Sequence, residues 1–174
     1  MRIVFLSATL AMALSGGAQA QQLSVTMHAI DQQGVGQPIG EIEIAPSSEG
    51  AMLTGTLTGL QSGEHGFHIH ANGACDPAPN DAGEMVAGGA AGRHWDPAST
   101  SMHRGPLGDG HLGDLPLFTS QGGTTHIAVT APRITDLTQL RGKALMIHAM
   151  GDNYADEPKP DGGGGVRVAC GVIE

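Results

Sequence analysis

Nine histidines outnumber the eight lysines and arginines of this 174-residue chain, and most of them fall into two patterns. The first is His68-Ile69-His70. Side chains on a strand alternate faces, so His68 and His70 share one face while Phe67 and Ile69 turn to the other, toward a core. Two imidazoles on one strand face can reach one metal ion. In Leu145-Met146-Ile147-His148 the leucine and isoleucine take one face and His148 the other, so a second strand presents a histidine outward from the core. The second pattern is His94, His103, His111 and Asp114, spaced nine, eight and three. These lie in a loop, where histidine has no packing reason to be. Glycines around them (Gly88, Gly89, Gly92, Gly105, Gly108, Gly110, Gly113) let the backbone wrap closely round an ion. Three histidines and a carboxylate make a tetrahedral zinc set, and imidazole suits copper as well as zinc. One HxH pair is weak evidence; the two patterns together argue for metal chemistry.

The remaining candidates read differently. His65 has the strand parity of Phe67 and so points coreward as a hydrogen-bonded structural residue, while His28 and His126 are ordinary polar positions in alternating strands. Asp109 is close enough to His111 to compete with Asp114, and the His111-x-x-Asp114 spacing favours Asp114. Met27, Met52, Met85, Met102, Met146 and Met150 are scattered, which suits core filling better than copper storage. Trp95, the one tryptophan, is either a loop-packing or an interface residue.

The elements that position these donors are strands. Alternating patterns mark residues 23–29, 41–44, 51–57, 64–70, 124–129, 143–149 and 166–173, with turns at 31–40 and 59–63. Between them run two long glycine-rich loops, 71–113 and 150–165. Loops of that length in a compact domain are functional or disordered, and the histidines favour function. The expected fold is all-β: a Greek-key β-barrel or sandwich of about eight strands with two long functional loops, in one domain spanning 21–174. A hydrophobic share of 40% is too high for a disordered chain. A formal charge of −9 argues against nucleic acid and against anionic membrane surfaces as partners.

Residues 1–20 read as a signal peptide. Met1-Arg2 gives a positive start, the apolar run 3–14 is too short to span a bilayer, and Ala18-Gln19-Ala20 is a cleavage site. The expected mature protein is soluble and exported. In an oxidising compartment Cys75 and Cys170, the two cysteines, default to a disulfide, and closing a loop of that length stabilises a fold by ~4 kcal/mol in the chain-entropy model.

Three blocks carry a family resemblance: Gly63-Glu64-His65-Gly66-Phe67-His68-Ile69-His70, Gly108-Asp109-Gly110-His111-Leu112-Gly113-Asp114-Leu115-Pro116, and Gly162-Gly163-Gly164-Gly165-Val166-Arg167-Val168-Ala169-Cys170-Gly171-Val172-Ile173. Together and in this order they resemble the signatures of copper/zinc superoxide dismutases, over roughly Leu23 to Glu174. The loop from Gly151-Asp152-Asn153-Tyr154 to Pro158-Lys159-Pro160 is similar to the bacterial exported branch.

The resemblance implies copper on His68, His70, His94 and His148, and zinc on His94, His103, His111 and Asp114, with His94 an imidazolate bridge. It implies Cys75–Cys170 as the family disulfide, Arg167 as the arginine beside copper, and Asp152 as the aspartate that bonds one copper and one zinc histidine. It further implies a periplasmic protein, monomer or homodimer, that dismutes superoxide. His94 would supply a proton, and Arg167 would orient the anion against the negative overall charge. Arg93 and Lys159 are further positive candidates nearby. Arg93 and Trp95 flank the bridging histidine where the commoner bacterial pattern is Gly-His. Two other readings compete. A zinc lyase or hydrolase on His68, His70 and His94 leaves His103, His111, Asp114 and His148 without a role. A copper-binding or copper-delivery protein on the same fold would be expected to lack a copper ligand or the arginine, and this chain lacks neither.

Overall fold

The computed structural model describes residues 22–174; the segment 1–20 read as a signal peptide lies outside the described residues. Period-two patterning governs the first strands. In β1 (Leu23–Asp31), Leu23, Val25 and Met27 are buried, and in β2 (Gly34–Ser47), Ile42 and Ile44 follow them inward. The chain continues through β3 (Gly50–Thr58), β4 (Gly63–His65), β5 (Phe67–His70), the short pair β6 (Ala78–Pro79) and β7 (Met85–Val86), β8 (Phe118–Ser120), β9 (Thr124–Ala131), β10 (Ala144–His148) and β11 (Arg167–Val172). Seven of these form one antiparallel sheet in the order β5-β10-β11-β1-β2-β3-β9. The sheet curls on itself. β4 leads into β5 at one edge, β8 precedes β9 at the other, and β4 pairs with β8, so the two edges are joined into a barrel. The crossings from β3 to β4 and from β9 to β10 make the connectivity a Greek key, as expected for an all-β chain of this pattern.

Two expected elements are corrected. Residues 31–40 are not a turn. Only Gln32 and Gln33 turn, with the Asp31 carboxylate accepting from the backbone of Gln33 (2.7 Å) and Gly34 (3.1 Å), and β2 begins at once. Pro38 hid this strand; it sits where the β1–β2 register shifts, a bulge that tolerates a residue with no N–H. Residues 64–70 are not one strand either. The chain breaks at Gly66, whose N–H turns away to the Met150 carbonyl (2.7 Å), and β4 and β5 belong to different sheets.

Leu23, Ile42, Leu53, Phe67, Ile69, Ile127, Val129, Leu145 and Ile147 fill the barrel with other apolar residues. β5 and β10 are buried along both faces. Their outer faces lie under the long loop, where Ile30, Ala87, Ala91, Ala144, Met146 and Cys170 form a second apolar cluster. Cys75 is bonded to Cys170 and ties that loop to β11. Of the scattered methionines only Met27 and Met146 are core residues; Met85 and Met150 are exposed, because Met85 lies in the short β7 and Met150 past the end of β10, both outside the barrel.

Candidate metal centre

β5 is an edge strand of the main sheet, and an open edge needs partners for its N–H and C=O groups. The long loop supplies them. Ile69 N–H donates to Gly113 O (2.8 Å), Trp95 N–H to Ile69 O (2.8 Å), and Leu115 N–H to Phe67 O (3.2 Å). Segments 93–95 and 113–115 are thereby laid along β5, bringing His94 opposite His70 and Asp114 opposite His68. Gly113 is required here, since a Cβ would overlap the Ile69 carbonyl oxygen. On the other side of β5, β10 pairs Met146 with His68, and His148 lies just past the paired segment.

The outcome is two four-residue donor sets, with a smaller group of His68, His103 and Asp152 between them. His68, His70, His94 and His148 form one; His94, His103, His111 and Asp114 form the other; in each, the donor atoms lie within 4.8 Å of one another and every residue is buried. His94 belongs to both. Asp109 is exposed and outside both sets.

The donor atoms behave as ligands do. His68 Nδ1, His70 Nε2, His103 Nδ1, His111 Nδ1 and His148 Nε2 are buried without a hydrogen-bond partner, a costly state for a polar atom unless something else meets it. Their opposite nitrogens are satisfied in most cases. His70 Nδ1 donates to Gly92 O (2.9 Å) and His148 Nδ1 to Gly165 O (3.2 Å). The two oxygens of Asp152 accept from His68 Nε2 (2.6 Å) and His103 Nε2 (2.8 Å), and Tyr154 N–H adds a third bond (2.7 Å). The Asp114 carboxylate lies 3.0 Å from Nδ1 of His94, 3.0 Å from Nδ1 of His103 and 3.4 Å from Nδ1 of His111. Borderline imidazole nitrogens with one carboxylate, most of their rings held by an outer neighbour, fit copper and zinc.

Without metal the electrostatics are strongly polarised. Burial, then the facing His68, pulls His94 down to about 3, and burial also holds His70 and His148 well below the usual histidine range. Burial opposes charge on His103 too, but the carboxylates of Asp114 and Asp152 on either side of its ring outweigh that and push it up to about 10. Both carboxylates are held well below the usual range: burial raises them, and the histidine hydrogen bonds more than reverse it.

Arg167 opens onto a cleft of ≈ 230 Å³ whose lining includes His94, His148 and Gly164. Its guanidinium donates to Gly88 O (2.6 Å) and Gly92 O (2.7 Å). Arg93 lies at the exposed rim, 3.9 Å from Asp161. Trp95 packs into the barrel core with Lys143 over its ring, which makes it a loop-packing residue. His65 is buried, stacks on Phe118 and meets the carbonyls of His148 (2.7 Å) and Gln61 (3.0 Å), as a structural histidine would. His126 is exposed and His28 half-buried, both apart from the donor sets. Sequence reasoning passed over Arg133, Asp156 and the role of Tyr154. Asp156 accepts from His103 N–H (3.1 Å), Tyr154 Oη accepts from Leu117 N–H (3.0 Å), and Arg133 grips the backbone at His111. Nothing local in the sequence marks them, since each acts on a segment remote from it.

The family model for copper/zinc superoxide dismutase matches residues 39–173. A superoxide dismutase [Cu-Zn] 2 of Salmonella typhimurium is 54% identical over 159 residues, covering 91% of each chain. A superoxide dismutase [Cu-Zn] of Escherichia coli is 49% identical over 171 residues, covering 98% of each. The Brucella abortus Cu/Zn superoxide dismutase structure superposes with a TM-score of 0.85 at 41% identity, covering 88% of this chain and all of that one. The monomeric enzyme of Salmonella enterica gives 0.77 at 52% identity with the same coverage. Buried donor sets sharing one histidine, a loop tied to the last strand by a disulfide, and a match across most of the chain agree: this protein belongs to the copper/zinc superoxide dismutase family.

Proposed function

We infer that the chain dismutes superoxide, turning two superoxide anions and two protons into dioxygen and hydrogen peroxide. We assign copper to His68, His70, His94 and His148, zinc to His94, His103, His111 and Asp114, and the shared position to His94. The observation that carries this reading is the set of buried, unpartnered imidazole nitrogens converging from both sides of His94. Copper supplies a one-electron couple between the two anions, and zinc a fixed charge without redox chemistry. The protein's own work is orientation and charge. Arg167, its guanidinium fixed by two carbonyls, lines the cleft and draws an anion into a chain of negative net charge. His94, which lines the cleft with Nδ1 turned to Asp114, has Nε2 left to hold or deliver a proton. Asp152 fixes the tautomers of His68 and His103. Segment 1–20 is assigned as a cleaved signal peptide and 21–174 as the enzyme domain, placing the mature protein in the periplasm; the disulfide supports an oxidising compartment.

The test is superoxide consumption by the purified chain loaded with both metals, with metal analysis alongside. The expected result is rapid consumption at a copper-to-zinc ratio near one, and His148→Ala is expected to lose copper and activity while keeping most zinc. A loaded, folded protein that binds both metals but does not consume superoxide would overturn the assigned activity.

A further inference from the structure

Each histidine ligand assigned to one metal alone has its outer nitrogen held, except one. His68 and His103 have Asp152, His70 has Gly92 O and His148 has Gly165 O. His111 makes no side-chain hydrogen bond at Nε2 among the described residues, so its ring is oriented by packing against His94 and His103 and not by an outer hydrogen bond. Its donor atom is Nδ1, the ring nitrogen nearest the main chain. For such a ligand the position of the backbone fixes the position of the donor.

That backbone is gripped from outside. Arg133 donates from one guanidinium nitrogen to Gly110 O (2.7 Å) and from the other to His111 O (3.0 Å). On the opposite side His111 N–H donates to Met102 O (2.9 Å), and Gly110 packs so closely on the 102–104 segment that a Cβ would overlap the Met102 carbonyl. Arg133 is itself well placed for this. It follows Pro132, whose ring fixes the chain leaving β9, and precedes the buried Ile134, whose N–H caps Ala131 O (3.2 Å). The guanidinium therefore spans from the rigid barrel to two consecutive carbonyls of a loop segment, 102–111, that carries no strand.

We propose that Arg133 is a positioning residue for zinc, acting through the Gly110 and His111 carbonyls in place of the outer hydrogen bond that the His111 ring lacks. This rests on the assignment of zinc to His94, His103, His111 and Asp114. Outer partners of metal ligands typically govern affinity by 10- to 100-fold, and that is the scale expected here.

The experiment measures zinc affinity of the mature protein by competition with a chromophoric chelator, for the parent, Arg133→Met, Arg133→Lys, His111→Ala and the Arg133→Met/His111→Ala double variant. Copper affinity and the melting temperature of the metal-free protein are measured in parallel, and cobalt(II) absorption reports the geometry of the zinc site. Arg133→Met is expected to weaken zinc by roughly 10- to 100-fold and to shift the cobalt bands. Copper affinity at saturating zinc and the metal-free melting temperature are expected to stay near parent values. Arg133→Lys, which can reach one carbonyl, is expected to recover part of the loss, and Arg133→Met is expected to add nothing once His111 is alanine. Parent-like zinc affinity in Arg133→Met overturns the proposal, as does an equal loss in the presence and absence of His111, or a parallel loss of copper and thermal stability. If His111→Ala itself leaves zinc affinity unchanged, the zinc assignment fails first, and the proposal with it.

Discussion

Two charged side chains act at the residue scale by different means. In the proposed reading Arg167 contributes position and charge without ligating metal. Burial lowers its pKa from the usual arginine value, and Asp161 partly offsets this, but a guanidinium remains cationic at any working pH. Arg167→Ala is expected to retain both metals, to slow superoxide turnover by about 10-fold or more, and to flatten its dependence on ionic strength, because less attraction is left to screen. Arg167→Lys keeps the charge but not the two-carbonyl fork and is expected to fall between. Turnover against salt at equal copper loading decides; an alanine form matching the parent at every salt concentration would remove Arg167 as the anion guide. Asp152 uses both oxygens on two histidines, one from each donor set. Asp152→Asn leaves one acceptor oxygen for two ring N–H groups, so metal titration is expected to show weakening of about 10- to 100-fold at one or both sites.

At the scale of elements, the site is a loop folded onto a strand edge and locked by one bond. Segments 93–95 and 113–115 complete β5, while Cys75 fixes the start of the same loop to Cys170 on β11. The carbonyls that hold Arg167, Gly88 O and Gly92 O, lie on the loop between those anchors. Replacing both cysteines by serine releases a 95-residue separation, a loss on the order of 4 kcal/mol in the chain-entropy model, or roughly 8–16 °C in melting temperature. Because the loop carries the Arg167 acceptors, activity of the copper- and zinc-loaded double variant at low temperature is expected to fall as well. Retained full activity with lowered melting temperature would separate the clamp from the disulfide.

Across the whole molecule, the buried histidines make stability depend on pH when metal is absent. His70, His94 and His148 are held neutral by burial, His94 down to about 3. Unfolded, they take up protons below about 6.5. Their contribution is therefore present above that pH and is lost as the pH falls toward 3. His103 runs the other way: raised to about 10, its contribution is full below about 6.5 and is lost as the pH rises toward 10. The metal-free protein is expected to melt highest near pH 6.5 and lower on either side, which a calorimetric pH series checks. A melting temperature flat from pH 4 to 9 would contradict the buried network. Bound metals compete with protons for the same nitrogens, so acidification is expected to release them before the barrel unfolds.

Strand periodicity and histidine spacing determined more of this protein than its size would suggest. Alternation gave most of the barrel strands, and HxH, the outward His148 and the loop quartet gave the candidate donors, because ligand chemistry demands particular residue types and a strand shows their faces directly. Alternation failed where one residue overrode it. Pro38 sits at a bulge, and Gly66 breaks a run that reads as continuous. What only the tertiary structure decided was remote contact. The open edge of β5 pairs with two loop segments, Trp95 turns inward under Lys143, and Met85 and Met150 stay outside the barrel. Arg133, far along the chain from the Gly110–His111 carbonyls, was invisible for the same reason: hydrogen bonds between a barrel and a loop segment outside any strand leave no period in the sequence.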